Sequence, residues 1–312
     1  MATITEPLQA TRTVVTRRAS ARRIPVGLLF TLPFLLFYAA FLLWPVLYSI
    51  FMGFTNESLA GARGEFIGLR NWQELFGDAA MWSALWHTVY FTLLSTPPLV
   101  LVGLVMALLT NRVMPARWLW RMSFFAPFLL PASVISLIWV WLYQPGFGLV
   151  NDTLLRLGLG EPGWLSNQNV TMFAIVITTV WWTVGFNFLL YLAALQSIPQ
   201  ELYDAAAIDG AGWWQRLSRI TLPLLKRTTG LVIVLQLLAS LKVFDQIYLM
   251  IFGGPNFATR PIIQYFFDTG FTGYRIGYAS AISTFFFVLI VVASIALFKV
   301  FPSRPAQGEA GR

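Results

Sequence analysis

Apolar residues lie in long blocks along this chain, and the polar residues gather between the blocks. Runs at roughly 26 to 52, 87 to 110, 122 to 143, 170 to 195, 228 to 251 and 278 to 300 are each long enough to cross a hydrocarbon core, which takes about 20 apolar residues in a helix. None has the short alternating pattern of a membrane barrel strand. With no water inside a bilayer to satisfy backbone groups, these runs predict six transmembrane helices, and the fold class is all-α. The first run follows several arginines, as a secretory signal does. It is too long for one, continues through Trp44 and Tyr48, and precedes five more runs, so it reads as a retained first helix.

Composition agrees with a polytopic membrane protein: 57% of residues are hydrophobic, only 11% are charged, and the mean hydropathy is +0.69. Charge then orients the helices. One side receives Arg12, Arg17, Arg18, Arg22 and Arg23, then Arg112, Arg117 and Arg121, then Arg216, Arg219, Lys226 and Arg227, and finally Lys299, Arg304 and Arg312. The other side has only Arg63, Arg70, Arg156, Arg260 and Arg275. By the positive-inside rule both termini and the loop at 197–226 are expected in the cytoplasm. That asymmetry accounts for most of the net charge of +8 without nucleic acid as a partner. Residues 1–25 read as a disordered basic tail, 26–300 as the membrane domain and 301–312 as a second cytoplasmic tail.

Catalytic chemistry is scarce. There is no cysteine, and His87 is the one histidine, which excludes thiol chemistry and argues against a His-rich metal site or a Ser/His/Asp triad. His87 reads as an interfacial side chain at the start of the second run. No Gly-x-x-x-x-Gly-Lys-Ser/Thr loop occurs, so ATP hydrolysis would have to take place on another polypeptide. Pro97 and Pro98 in the second run, and Pro127 and Pro131 in the third, are expected to interrupt the backbone ladder and kink those helices.

The polar stretch at 197–226 carries a dense, ordered pattern. Pro199 suits a first helical turn, and Glu201 and Asp204 place negative charge near that helix's positive end. Ala205, Ala206 and Ala207 favour helix and leave little side-chain bulk, while Gly210 supplies the left-handed residue that commonly ends one. A short, smooth knob is the result. Trp213, Leu217 and Ile220 predict a second short helix, closed by Pro223.

Asp204-Ala205-Ala206, Gly210, Ile220 and Leu222-Pro223 resemble, at matching spacing, the EAA motif of the permease subunits of bacterial binding-protein-dependent ABC importers. The motif's first residue is usually Glu, where this chain has Asp204, and a Phe common near the second helix is Leu217 here. The resemblance implies that this segment is a coupling helix inserted into a groove of an ATPase subunit. It assigns coupling to Glu201, Asp204, Ala205, Ala206, Asp209, Gly210, Ala211, Ile220, Leu222 and Pro223.

A second stretch is similar to the carbohydrate-uptake permeases of the maltose and glycerol-phosphate type. It is Ser240-Leu241-Lys242-Val243-Phe244-Asp245-Gln246-Ile247-Tyr248-Leu249, followed by Gly253-Gly254-Pro255, Thr259, Tyr265, Gly273 and Gly277-Tyr278-Ala279-Ser280-Ala281. Phe66-Ile67-Gly68-Leu69-Arg70-Asn71-Trp72 after the first run resembles the same group. The resemblance covers about 26 to 300. It implies a multi-pass inner-membrane permease, not itself an enzyme, that pairs with a second, homologous permease. It also implies two cytoplasmic ATPase subunits binding ATP and Mg, and an extracytoplasmic sugar-binding protein that delivers the substrate. An importer of another solute, or a stand-alone ion-coupled carrier using Lys242 and Asp245, are the competing readings.

Lys242 and Asp245 stand out within an apolar run, where a charge costs at least about 2.5 kcal/mol and so faces a partner or a water-filled route. On one helix their three-residue spacing would let them pair, and the alternative is that they border the pathway. Ser240 precedes them. In the fourth run Trp181, Gly185 and Phe188 share a face, with Asn187 adjacent. Aromatic rings stack on sugars and amides bind hydroxyls, yet the same residues serve helix packing and lipid contact equally well. Gly185, Asn187, Phe188, Ser240, Lys242 and Asp245 are the candidate pathway residues.

Overall fold

The computed structural model describes residues 26–61, 64–111 and 116–300. Both expected tails lie outside them, as do Arg63 and Arg112. The described residues form helices and loops, with one antiparallel bridge between Thr55 and Phe66. Five helices are long and apolar enough to cross a membrane, and a bent pair brings the crossings to six when counted as one.

Two compact units divide between Tyr48 and Ser49. In the first, α1 (Val26–Tyr38) passes through a π turn at Ala39–Leu43 into α2 (Trp44–Met52). Phe30, Phe34, Phe41 and Trp44 are all exposed, as an all-round apolar helix is when its neighbours are lipid or another chain. Ring pairs four residues apart, such as Phe34 with Tyr38 and Trp44 with Tyr48, line its surface.

The second unit opens with a loop fastened to α3 (Arg70–Gly77), whose Asn71 amide donates to the Gly53 and Thr55 carbonyls at 3.0 and 2.9 Å. Asp78 then caps α4 (Ala79–Thr110), accepting from the Ala80 and Met81 N–H groups at 2.9 and 3.2 Å. This cap starts the second crossing well before residue 87. Pro97 and Pro98 do not interrupt α4, because packed neighbours hold a membrane helix together across a missing N–H.

The third crossing is the bent one. α5 (Arg117–Phe125) runs through a 3-10 turn at Ala126–Leu129 into α6 (Ala132–Leu142) with a bend of 99°. Leu130, ahead of Pro131, is extended with ψ 141°, the conformation a following proline imposes. After α7 (Leu149–Arg156), α8 (Gln168–Gln196) crosses as expected. Its packing with α4 is the most extensive among the described helices, and a Cβ at Gly103 would stand 3.0 Å from that of Asn187.

The 197–226 region holds α9 (Gln200–Ile208) and α10 (Trp213–Arg216), but α10 is not closed by Pro223. A π turn at Leu217–Thr221 carries it into α11 (Leu222–Leu241), and this local widening just before Pro223 accommodates the proline inside a continuous helix. The crossing therefore spans Trp213–Leu241, not 228 to 251. Arg216, Arg219, Lys226 and Arg227 made its first half read as loop. The chain then breaks at Lys242 to Phe244 and restarts as α12 (Asp245–Ile251). α13 (Ile262–Phe267), a π turn at Asp268–Thr272 and α14 (Ile276–Val300) complete the unit.

Candidate functional site

A cavity of about 380 Å³ opens at the break between α11 and α12. Its wall carries Ser240, Lys242, Asp245 and Gln246 from the break, Gln236 from the turn before it, and Thr179 and Thr183 from α8. Phe91, Trp182 and Phe186 add flat apolar surfaces. Such a wall offers hydroxyl, amide and charged groups beside aromatic rings, which suits a polar, many-hydroxyl ligand.

The uncharged polar groups are held in fixed chains. Asn187 donates to the Leu99 carbonyl at 3.3 Å and to Gln236 Oε1 at 3.0 Å; Gln236 Nε2 donates to Ser240 Oγ at 3.1 Å. Ser240 Oγ meets Ser95 Oγ at 3.1 Å. This chain joins α4, α8 and α11 through buried groups. Beside it, Thr179 donates to Gln246 Oε1 at 2.9 Å, and Gln246 Nε2 donates to the Ile175 carbonyl at 3.1 Å.

Lys242 and Asp245 behave differently. They are not on one continuous helix, because Phe244 between them has φ −151° and ψ −66°. Both are exposed and no ion pair joins them. Among the described residues the ion pairs are Arg156 with Asp152 and Arg275 with Glu74. Of the two readings their spacing left open, the internal pair does not form, and both residues line the cavity.

The fourth-helix candidates lie elsewhere. Asn187 is 1% and Phe188 0% exposed, both within the α4–α8–α11 packing. A Cβ at Gly185 would stand 2.7 Å from the Phe124 carbonyl oxygen, so this glycine admits α5 against α8. None of the three lines the cavity at the break, where Phe186 does. Trp181 faces a separate, apolar cavity with Trp139. Gln236, Gln246 and Thr179 were missed from the sequence, although amides within apolar runs were a visible signal.

α9 is a projecting element. Glu201, Asp204, Ala205, Ile208, Asp209 and Gly210 are exposed, with Ile208 88% so; Ala206, Ala211 and Ile220 are half-buried, and Leu222 and Pro223 are exposed. The helix starts at Gln200 with Pro199 just outside it, and ends in a Schellman motif. Ala211 N–H bonds the Ala206 carbonyl at 2.8 Å, Gly210 N–H bonds Ala207 at 3.1 Å, and Gly210 has φ +74°. Tyr203 fastens this knob from behind, meeting the Thr221 hydroxyl at 2.9 Å.

At the opposite ends of the crossings a different polar cluster forms. Asp78 Oδ2 accepts the Tyr265 and Tyr278 hydroxyls at 2.5 and 2.6 Å, tying α13 and α14 to the start of α4. Burial raises the Asp78 pKa, but the two phenols and the Met81 and Ala80 N–H groups outweigh it and hold the carboxyl below its ordinary value of 3.8. Burial and the Asp78 carboxylate push the Tyr265 phenol up to about 12. Arg275 bonds Glu74 at 2.7 Å and lies over the Tyr278 ring. His87 sits nearby with Nδ1 3.3 Å from the Arg260 carbonyl.

The family described as "Binding-protein-dependent transport system inner membrane component" matches residues 99–306. The trehalose/maltose transport system permease protein of Thermococcus litoralis is 35% identical over 287 residues, covering 92% of this chain and 97% of that one. The sulfoquinovosyl glycerol transport system permease protein of Agrobacterium fabrum is 34% identical over 276 residues, covering 88% and 90%. A crystal structure of a bacterial ABC transporter involved in the import of the acidic polysaccharide alginate superposes with a TM-score of 0.78 at 25% identity, covering 89% of this chain and 96% of that one.

Proposed function

This chain belongs to the binding-protein-dependent transport system inner membrane component family, and from that premise we propose that it is the permease subunit of an ATP-driven sugar importer. Multi-pass insertion in the bacterial inner membrane follows from the family and from the apolar crossings. In this reading both termini and α9 face the cytoplasm. A second, homologous permease completes the pathway, and two ATPase subunits bind ATP and Mg. A sugar-binding protein docks outside, on the loops at 53–86, 144–169 and 252–277. An alginate transporter related in fold was solved with a ligand-bound periplasmic protein, which supports a partner of that kind.

One observation carries the reading: α9 presents a small, nearly bare helical surface that ends at Gly210, where a Cβ would meet nothing within 4 Å. An exposed Ile208 on such a knob is the shape of a plug awaiting a socket. Closure of the ATPase pair against α9 moves α11 through Tyr203 and Thr221. α11 in turn carries the break that borders the cavity, and a π turn lies between, where helices commonly yield. Glu201, Asp204, Ala205, Ala206, Asp209, Gly210 and Ala211 form the plug, and Ile220, Leu222 and Pro223 its base. Ser240, Lys242 and Asp245 border the sugar route.

The test uses the complex in vesicles. Ala206→Asp places a charge on the plug, and Gly210→Val forces a β-branched residue into a left-handed conformation costing about 1–2 kcal/mol. Both should insert normally while losing ATPase stimulation by loaded binding protein. Normal stimulation and uptake in both variants contradicts the coupling role, and uptake that follows an ion gradient without ATP contradicts the importer itself.

A further inference from the structure

We propose that the start of α5 and the apolar cavity beside it form a binding site for one anionic phospholipid. Arg117 and Arg121 lie one turn apart at the beginning of α5, where the bent crossing enters the apolar region. Both line an open pocket with Trp118, Met122 and Gln196. Neither arginine has a carboxylate partner among the described residues. Arg121 Nε is buried and makes no hydrogen bond, a costly state for a charged donor unless an acceptor occupies the pocket. Two guanidinium groups at a membrane boundary, without a carboxylate partner among the described residues and flanked by exposed Trp118 and Trp120, are the donor set for a phosphate headgroup.

The neighbouring cavity extends the site from a headgroup to a whole amphiphile. Residues 117, 121 and 124 follow helical spacing, so the arginines and Phe124 share one stripe of α5. Phe124, with Ser123 and Pro127, lines a second cavity of about 930 Å³ whose wall is otherwise apolar, including Val102, Ile177 and Val180. The 99° bend that follows, between α5 and α6, keeps the crossing from continuing straight past it. A free phosphate would use only the arginines, whereas a phospholipid sets its phosphate on them and an acyl chain in the cavity. The charge at one end and the apolar volume beside the same helix favour the lipid.

The purified chain, with whatever subunits accompany it, is examined by native mass spectrometry after extraction in mild detergent. Its retained lipids are then exchanged against phosphatidylglycerol, phosphatidylcholine or inorganic phosphate. The parent should retain phosphatidylglycerol in preference to phosphatidylcholine, and inorganic phosphate should not displace it. Arg117→Gln with Arg121→Gln should weaken retention about 30-fold, from about 1 kcal/mol for each basic residue. Lysine at both positions should keep most of it. Ile177→Trp, which fills the cavity and leaves both arginines in place, should also weaken retention. Equal retention of both lipids, displacement by inorganic phosphate, no bound lipid in the parent, or indifference to Ile177→Trp each overturns the proposal. If the double glutamine variant does not fold, the lysine and tryptophan variants and the lipid exchange on the parent still decide it.

Discussion

The polar cluster around Asp78 and the polar wall at the α11–α12 break use similar residues to opposite ends. Around Asp78 the charges are matched: one carboxylate takes two phenols and two backbone N–H groups, and Arg275 has Glu74 and the Tyr278 ring. At the break, hydroxyls and amides are bonded into chains, but Lys242 and Asp245 stay exposed, lack an ion-pair partner among the described residues, and line a cavity. A saturated cluster holds helices in place and has nothing left for a ligand. An unsaturated one leaves charged groups open toward a cavity, at a cost in membrane insertion.

Breaking the first cluster should have the largest effect. Asp78→Ala removes a helix cap worth about 1 kcal/mol and strands the buried Tyr278 hydroxyl at about 1–3 kcal/mol. A loss near 3 kcal/mol, read as a clear fall in the thermal unfolding temperature, is expected. Next comes Gly185→Ala, whose new methyl would press on the Phe124 carbonyl and the Phe125 backbone. It should cost about 1–3 kcal/mol through overpacking. Stability unchanged in this variant would mean that α5 yields freely, and would return Gly185 to the pathway candidates.

The charges at the break should show the reverse pattern. Lys242→Met and Asp245→Leu should each lower uptake about tenfold, or roughly 1.4 kcal/mol, with little change in unfolding temperature. Because no ion pair joins them, the losses should add in the double variant. A double variant milder than either single one would restore the pair that the structure separates. The smallest effect is acid sensitivity. Since the folded-state pKa of Asp78 is lowered, its contribution is present above pH 3.8 and is lost as pH falls below that. Asp78→Asn should flatten that part of a stability-against-pH curve.

Much of this was legible in the residues. The apolar runs marked six crossings but misplaced the fifth and the start of the second, Gly210 marked the end of α9, and the Pro127 and Pro131 pair marked the bend. Pro97, Pro98 and Pro223 misled, because a proline breaks an isolated helix but is absorbed where neighbours or a π turn accommodate it. The break after Leu241 was hidden by apolar residues continuing to Ile251, which made two helices read as one. That Asn187 and Phe188 are buried in helix packing was not legible, because spacing shows which residues share a face without showing what that face meets. The Asp78 cluster joins residues nearly two hundred positions apart, and no local pattern reveals such a meeting.

The chain has no cysteine, so single cysteines can be introduced without a background. Placed one at a time at Ser240, Lys242, Asp245, Asn187 and Phe188 in the reconstituted complex, they can be probed with a small hydrophilic thiol reagent, with and without transported sugar. We expect labelling at 242 and 245 that sugar suppresses, slower labelling at 240, and none at 187 or 188. Fast, sugar-sensitive labelling at 187 and 188 with silence at 242 and 245 would contradict the account and move the pathway to the other face of α8.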